Sequence, residues 1–220
     1  MRAWLAVAAL AVLGTPAQAA DFINLNFEQA QAPVLQQPFE FHLLDWATAA
    51  PGWSHSSGDA TASVYYGSTH VGLPQWFLLT SAQSFSNLLL SGSYSMAFNS
   101  GHLSTFDPNS PFVHATLSQT GDVPADALSL RLRATGPLAV FLGDAPIALQ
   151  PLGGNLYGGD IAAYAGQTLE LRLVNLSNDQ GHPVVVDDIV FSPAAVPELP
   201  TLASLTLGLA LLAGLRHRRP

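Results

Sequence analysis

The sequence predicts an all-β domain, an antiparallel β-sandwich of the jelly-roll kind, placed between two short apolar terminal segments. Three observations lead to this fold class. Short runs rich in β-branched, aromatic and leucine residues recur between residues 21 and 192, separated by Gly, Pro, Ser, Asn and Asp. No convincing amphipathic helical pattern occurs in that range. Several runs alternate apolar and polar residues, as strands with one solvated face do.

We predict nine strands, at residues 22–27, 62–66, 76–80, 94–98, 112–118, 127–134, 139–142, 168–175 and 184–191. The alternation is clearest at 128–133 and 169–173, where leucines alternate with Ser, Arg or Glu. Clusters at 153–155 and 158–160 read as turns, and 160–166 as a short helical turn or a plain loop. Many short strands with frequent turns favour two packed antiparallel sheets.

The N-terminal segment has the pattern of a secretory signal peptide. Arg2 supplies a positive charge, residues 3–13 are apolar, and Ala17-Gln18-Ala19 offers a small-residue cleavage site. We therefore expect residues 1–19 to be removed during export. The mature chain would begin at Ala20 or Asp21, with residues 20–193 as its single β-sandwich domain.

The C-terminal segment has the composition of a membrane anchor. Prolines in the linker and motif at 194–200 keep the backbone extended before Thr201. An uncharged stretch of about 17 residues follows, from 199 to 215, close to the shortest length that crosses a bilayer. We predict a transmembrane helix at 201–215. The basic residues of 216–220 would stay on the cytoplasmic side.

The charge of the body excludes several classes of partner. Between Asp21 and Asp188 lie 14 acidic residues against three arginines, a net charge near −11. Such a domain lacks the positive surface that nucleic acid or anionic lipid requires, so we expect no nucleic-acid partner. The chain has no cysteine. Thiol catalysis, disulfides and cysteine-ligated zinc are therefore excluded, and the exported domain must be stable by packing or by a bound metal.

The tripartite tail resembles the PEP-CTERM sorting domain. Pro197-Glu198 precedes Thr201-Leu202 and the apolar helix, and the chain ends on Arg216, Arg218 and Arg219. Leu199 stands where the usual motif has its second proline, and Pro200 follows one place later. The resemblance implies recognition by an exosortase near Pro197 and Glu198. It also implies an inner-membrane-tethered precursor, and then a place on the surface or in the exopolysaccharide matrix or biofilm of a Gram-negative bacterium.

The order of landmarks in the body resembles the galactose-binding-like jelly rolls of carbohydrate-binding modules. The landmarks are Asn26-Phe27-Glu28, Pro51-Gly52-Trp53, Gly92-Ser93-Tyr94-Ser95 and the closing Val186-Asp187-Asp188-Ile189. The resemblance implies a jelly-roll fold and, as one alternative, a module that recognises an extracellular polysaccharide.

The same resemblance implies a structural calcium site. Its ligands would be Glu28 near the first strand and Asp187 or Asp188 on the last. Calcium takes six to eight oxygen ligands, so loop carbonyls would complete the shell. Strand alternation predicts that Asp187 and Asp188 point to opposite sides, which leaves one of them for Glu28. The other interpretation is that one Asp caps a turn and the other is solvated.

Aromatic side chains are candidates for stacking against sugar rings. The set is Trp46, Trp76, Tyr65 and Tyr66, with Trp53 more typical of a packing position. The alternative is that a sandwich of this size needs these large residues in its core.

No sequence motif indicates catalysis. The chain contains neither a G-x-S-x-G elbow nor an H-E-x-x-H helix. The histidines of the body lack the close spacing of a zinc site; they are His42, His55, His70, His102, His114 and His182. The sequence therefore favours a non-catalytic exported surface or matrix protein. The first alternative is a carbohydrate-binding module, and the second is a secreted polysaccharide hydrolase that uses two carboxylates.

Overall fold

A computed structural model gives the structure of the chain. It describes residues 20–36, 40–56, 63–67, 73–81, 86–104, 106–107, 109–178 and 182–197. The predicted signal peptide at 1–19, the predicted membrane helix at 201–215 and the basic end at 216–220 lie outside these residues. In the described ranges, no helix has the length and apolarity needed to span a bilayer.

The structure is built almost entirely from β-strands. In chain order they are β1 His42–Asp45, β2 Ser54–Ser56, β3 Ser63–Tyr66, β4 Gln75–Thr80, β5 Tyr94–Asn99, β6 Gly101–His102, β7 Phe112–Val113, β8 Thr116–Asp122, β9 Ser129–Thr135, β10 Leu138–Leu142, β11 Ala145–Ile147, β12 Gln150–Gly153, β13 Leu156–Asp160, β14 Thr168–Asn175 and β15 Val184–Ser192. The helices are the one-turn α1, Trp46–Ala49, and two 3₁₀ turns, Ser86–Leu88 and Ala162–Tyr164. Of the two conformations expected for 160–166, a short helical turn or a plain loop, the structure has the helical turn.

Two sheets form the body. The larger has eight strands in the order β1-β3-β4-β5-β15-β9-β13-β12, and the smaller has five in the order β11-β10-β14-β8-β2. Strands β6 and β7 form a separate hairpin. The larger sheet is mixed, because β3 and β4 run parallel with Tyr65 opposite Phe77. The prediction of a wholly antiparallel sandwich was therefore wrong at this pair; all other strand pairs in the described residues are antiparallel.

The main core lies between the two sheets. Leu130 and Leu132 of β9 are fully buried in it, whereas Arg131 and Arg133 of the same strand are partly exposed on the other face. This confirms the predicted alternation at 130–133. The prediction was wrong at 128 and 129, because Leu128 precedes the strand and is exposed whereas Ser129 is fully buried. Fully buried side chains of the core include Trp76, Phe98, Leu117 and Leu171. Burying apolar surface in this way supplies most of the stability of a domain that has no disulfide.

A second, smaller apolar cluster covers the outer face of the larger sheet. Phe77, Leu79, Ala97 and Val185 are buried there, and residues 88–90 pack over them. All six residues of β4 are buried because both faces of that strand are covered. A strand buried on both faces does not show polar and apolar alternation.

The predicted first strand, at 22–27, was wrong. Residues 25–29 form turns instead, and Asn24 and Phe27 adopt φ values of 50° and 57°. Phe27 is fully buried and stacks on Trp53 with ring centroids 5.4 Å apart. Trp53 Nε1 also donates a 3.0 Å hydrogen bond to the Asn24 carbonyl oxygen. Phe27 therefore anchors a turn to the core, and residues 22–27 do not pair with a neighbouring strand.

The predicted turn at 158–160 was also wrong, because these residues end strand β13. A Cβ at Gly158 would lie 2.9 Å from Leu152 Cδ1, and one at Gly159 would collide with the Ile147 side chain. Glycine is required at both positions because side chains of other strands approach the backbone closely. Glycine can therefore mark such a close approach within a strand as well as a turn. The predicted strand at 112–118 is divided into β7 and β8.

Candidate functional site

The acidic residues singled out in the sequence lie around one end of strand β5. Glu28 Oε1 accepts hydrogen bonds from the backbone amides of Ser93 at 2.8 Å and Tyr94 at 3.0 Å. Gly92 has a φ of 55°, and a Cβ at this position would collide with the Glu28 carboxylate. The turn after residue 24 is therefore fixed to the start of β5 through Glu28.

Asp187 is a buried carboxylic acid on the last strand. Its exposed fraction is 1%, Ser95 Oγ donates to its Oδ2 at 2.6 Å, and the Asp188 amide donates to its Oδ1 at 2.7 Å. Burial raises the pKa of Asp187 to about 7, and the negative charges of Asp188 and Glu28 act in the same direction. Glu28 bonds to the amides of Ser93 and Tyr94 and Asp187 bonds to Ser95, so the two carboxyl groups contact successive residues at the start of β5.

Asp188 has a different environment from Asp187. It has a φ of 46°, at a bulge where the pairing of β15 with β9 shifts register between Asp187 and Val190. Its Oδ2 accepts a 3.0 Å hydrogen bond from Arg133 Nε. The Ile189 amide in the same bulge donates to the Leu25 carbonyl at 3.0 Å. The bulge therefore joins the first turn of the domain to its last strand.

Whether a calcium ion fits at this place depends on which carboxylates can bind it. The Asp188 carboxylate is paired with Arg133, so Glu28 and Asp187 are the carboxylates that remain for a cation. Asp187 has no cationic partner in the described residues, and its ionised form is disfavoured by burial and by Glu28. A cation would relieve that repulsion. The described residues contain no group of three or more His, Asp or Glu side chains suited to a metal, so carbonyl oxygens would have to complete the shell.

The four aromatic candidates do not form one platform. Trp76 and Tyr66 are buried, with exposed fractions of 0% and 3%, and the Trp76 indole donates to the Thr116 carbonyl oxygen. Neither offers a ring face at the surface. Tyr65 is half-buried and packs against Phe77 on the outer side of the larger sheet.

Trp46 is half-buried on α1 and stacks on His55 with centroids 4.4 Å apart. Burial lowers the pKa of His55, whose ring also lies 4.5 Å from that of Trp76. Trp46 Nε1 and His55 Nδ1 are buried without a hydrogen-bond partner among the described residues. Trp46 and Trp76 are thus brought together, edge to face at 5.6 Å, but as packing residues at the border of the core.

The other histidines have separate structural surroundings. His42 Nε2 lies 2.9 Å from Glu40 Oε1, and the Nδ1 atoms of His102 and His114 bond to the carbonyl oxygens of Ser110 and Asn175. His70 lies outside the described residues. An apolar cavity of about 220 Å³ opens between the sheets. Its lining is Ala134, Gly136, Pro137, Leu138, Leu149 and Tyr157.

Sequence reasoning missed a row of side chains on the outer face of the smaller sheet, where Ser54 is exposed and the other three are partly exposed. Phe141, Arg172, Ser118 and Ser54 lie opposite one another on the adjacent strands β10, β14, β8 and β2. The row crosses three strand spacings, about 14 Å. The Arg172 guanidinium lies 4.9 Å from the centre of the Phe141 ring, and its Nη1 is 3.7 Å from Glu170 Oε2. The alternation at 169–173 placed Arg172 on the solvated face, but only strand pairing aligns it with the other three.

Comparison with known proteins gives weak likenesses of architecture. No family model matches the chain. No curated protein matches it either. Among solved structures, the K2 cleaved adhesin domain of Lys-gingipain aligns with a TM-score of 0.38 and 14% identity, over 70% of this chain and 99% of that one. The K1 domain from Porphyromonas gingivalis W83 aligns with a TM-score of 0.38 and 10% identity, over 68% and 96%.

A family 11 carbohydrate-binding module from Clostridium thermocellum, solved with a β-1,3-1,4-mixed-linked tetrasaccharide, aligns with a TM-score of 0.36 and 11% identity. The alignment covers 68% of this chain and 93% of that one. All three TM-scores lie below 0.5, so no ligand, partner or activity follows from these likenesses for this chain.

Proposed function

We propose that the chain is an exported, non-catalytic surface or matrix protein whose β-sandwich is delivered and held by its two terminal segments. The observation that carries the proposal is the order of segments in the C-terminal sequence. A Pro-Glu motif at Pro197-Glu198 is followed by an uncharged stretch at 199–215 and then by Arg216, Arg218 and Arg219. This order suits an anchor that is inserted once, with its arginines inside, and that exposes the motif on the outer side.

The tail would act as a sorting signal. Its PEP-CTERM-like pattern makes an exosortase the partner, with Glu198 as the single charge in the motif and Thr201 at the start of the helix. The helix would hold the precursor in the inner membrane until the motif is processed. The domain would then join the exopolysaccharide or biofilm matrix.

Cell fractionation tests this proposal. We expect the full chain to be found in the membrane fraction, and a chain that lacks residues 201–220 to be released to the medium. A matched control replaces Arg216, Arg218 and Arg219 by Ala and keeps the apolar stretch. This control should lose its fixed orientation but should stay in the membrane. Retention of the truncated chain in the membrane fraction would remove the basis for the anchor.

We propose further that Glu28 and Asp187 hold a structural calcium ion. Bound there, calcium would neutralise the two carboxylates and clamp the first turn of the domain to its last strand. Asp188, which is paired with Arg133, would take no direct part. For an exported domain without disulfides, a clamp between distant segments replaces the cross-link that a cystine would provide.

A second candidate function is the binding of an extracellular polysaccharide at the row Phe141, Arg172, Ser118 and Ser54. The specific observation that favours it is the alignment of an aromatic ring, a guanidinium and two hydroxyl groups on one partly exposed sheet face. Aromatic rings and planar guanidinium groups contact the faces of sugars, and hydroxyl groups bond to their edges.

A glycan panel with purified protein tests this candidate. Replacing Phe141 or Arg172 by Ala should abolish saturable binding to whichever polysaccharide binds. Replacing Trp46 by Ala should leave binding unchanged, because that ring is packed against His55. Absence of binding to any polysaccharide by the folded wild-type domain would leave the surface role without a glycan ligand.

A further inference from the structure

The segment that joins the domain to the C-terminal tail lies on the outer face of the larger sheet. We call residues 193–197 the docked linker. Ser129 Oγ donates to the Ala194 carbonyl oxygen at 2.7 Å, and Arg131 Nη2 donates to the carbonyls of Ala194 at 3.3 Å and Ala195 at 3.2 Å. Arg131 Nε also donates to Ser129 Oγ at 3.2 Å, which fixes the guanidinium. Carbonyl groups of the docked linker are thus held by a charged donor, which makes stronger hydrogen bonds than a neutral one.

The docked linker then crosses two further strands. A Cβ built at Gly158 of β13 lies 3.4 Å from Val196 Cγ2, so the glycine leaves just enough room for this side chain. Gln150 Nε2 of β12 donates to the Pro197 carbonyl oxygen at 3.4 Å. The three extended chain steps from Ala194 to Pro197 cover about 10 Å, which equals the two strand spacings between β9 and β12. Backbone length and contacts therefore agree on one path across the sheet.

This path controls how far the motif can reach from the domain. Strand β12 is an edge of the larger sheet, and Pro197, the first residue of the motif, lies on it. Four chain steps separate Pro197 from Thr201, where the predicted membrane helix starts, and they span at most about 14 Å. With the linker docked, the domain would lie close to the membrane surface.

We propose that the docked linker shields the C-terminal motif, and that it must detach from Ser129 and Arg131 before a peptidase can act next to Glu198. Peptidases bind an extended backbone on both sides of the bond they cleave, and here the residues before Glu198 have their carbonyls bonded to the sheet. The inference rests on the proposed function only for the identity of the enzyme in the cell. The docking itself is independent of sorting.

Proteolysis of the chain from residue 20 to residue 220, with its tail intact and in detergent, tests the proposal. An endoproteinase specific for glutamate would cut after Glu198, and loss of the C-terminal fragment is followed by mass spectrometry. When docking is fast, the rate follows the detached population. Arg131→Ala should raise the rate at Glu198 at least about ten-fold, which corresponds to about 1.4 kcal/mol. Arg133→Ala is the matched control, because Arg133 lies on the same strand and bonds to Asp188 instead.

A second variant covers the case in which Arg131→Ala lowers the stability of the whole domain. Ser129→Ala removes the hydroxyl that donates to the Ala194 carbonyl oxygen and that accepts from Arg131 Nε, and it leaves the Arg131 charge in place. Ser129→Ala should also raise the cleavage rate at Glu198, whereas Arg133→Ala should not. The proposal is overturned if wild type, Arg131→Ala and Ser129→Ala are cleaved equally fast while all three remain folded. None of these outcomes depends on where the protein goes in the cell.

Discussion

Ser95 Oγ donates a 2.6 Å hydrogen bond to Asp187 Oδ2, which links strand β5 to strand β15 inside the protein. The bond is buried and joins residues 92 positions apart in the chain. Because the Asp187 pKa is raised to about 7, this acid is protonated in the folded domain at mildly acidic pH and ionised above neutrality. The first two predictions follow from this pair.

The first prediction is a pH dependence of stability that belongs to Asp187. Unfolded Asp ionises near 3.8 and folded Asp187 near 7, so the folded state binds the extra proton between these values. The contribution of Asp187 is therefore complete below about pH 4 and declines as pH rises through 7, by at most about 4 kcal/mol. Asp187→Asn should match wild type near pH 4 and exceed it at pH 8 in denaturant unfolding. Parallel pH profiles for the two proteins would show that Asp187 is not perturbed.

The second prediction concerns calcium. At pH 8, where Asp187 is ionised, added calcium should raise the melting temperature of wild type, and EDTA should reverse the effect. A ligand at one hundred times its dissociation constant stabilises by about 2.7 kcal/mol. Asp187→Asn and Glu28→Gln should lose the response, whereas Asp188→Asn should keep it. Equal melting temperatures of the wild type in calcium and in EDTA would exclude the proposed ion.

The third prediction separates backbone strain from side-chain collision at Gly92. Gly92 and Gly154 have similar φ values, 55° and 57°, but only at Gly92 would a Cβ collide with another group, the Glu28 carboxylate. Gly154→Ala should cost about 1 kcal/mol for its positive φ. Gly92→Ala should cost clearly more, because Glu28 must release the amides of Ser93 and Tyr94. Comparable free energies of unfolding for the two variants would mean that Glu28 does not hold this turn.

The fourth prediction concerns the tryptophans of the candidate platform. Trp76→Ala should destabilise the domain by about 3–5 kcal/mol, because the ring is fully buried and a cavity would remain. Trp46→Ala should cost less, since its ring is half-buried and its Nε1 has no partner among the described residues. Denaturant unfolding of both variants measures the difference. If Trp76→Ala kept the stability of wild type, the structural role assigned to this ring would be wrong.

Alternating strands were the part of the fold that the sequence could predict. Leu130 and Leu132 face the core as their spacing indicated, because period-two alternation follows directly from strand geometry. Strand β4 shows no such alternation, because residues 88–90 cover its outer face. The sequence of β4 alone does not indicate which segment packs on that face. The strand predicted at 22–27 was wrong for a related reason. Phe27 is buried in the core, but it lies in a turn and not in a strand.

The sites depended on contacts between distant parts of the chain. Glu28 and Asp187 were singled out through a resemblance, but the bulge that pairs Asp188 with Arg133 is invisible in a local pattern. Arg131 is 63 positions from Ala194, and the sequence predicted only a linker in this segment, with no contact to the sheet specified. Every residue has a backbone carbonyl, so a segment that accepts long-range hydrogen bonds through its carbonyls cannot be recognised from its residue types.

The most direct test of the proposed role is the intact mass of the protein recovered from the cell surface. One mass reports both ends of the mature chain. We predict a species that begins at Ala20 or Asp21 and lacks residues 201–220, as expected for removal of a signal peptide and of a sorting tail. Recovery of a chain that still extends from Met1 to Pro220 would exclude the proposed processing, because neither terminal segment would then have been removed.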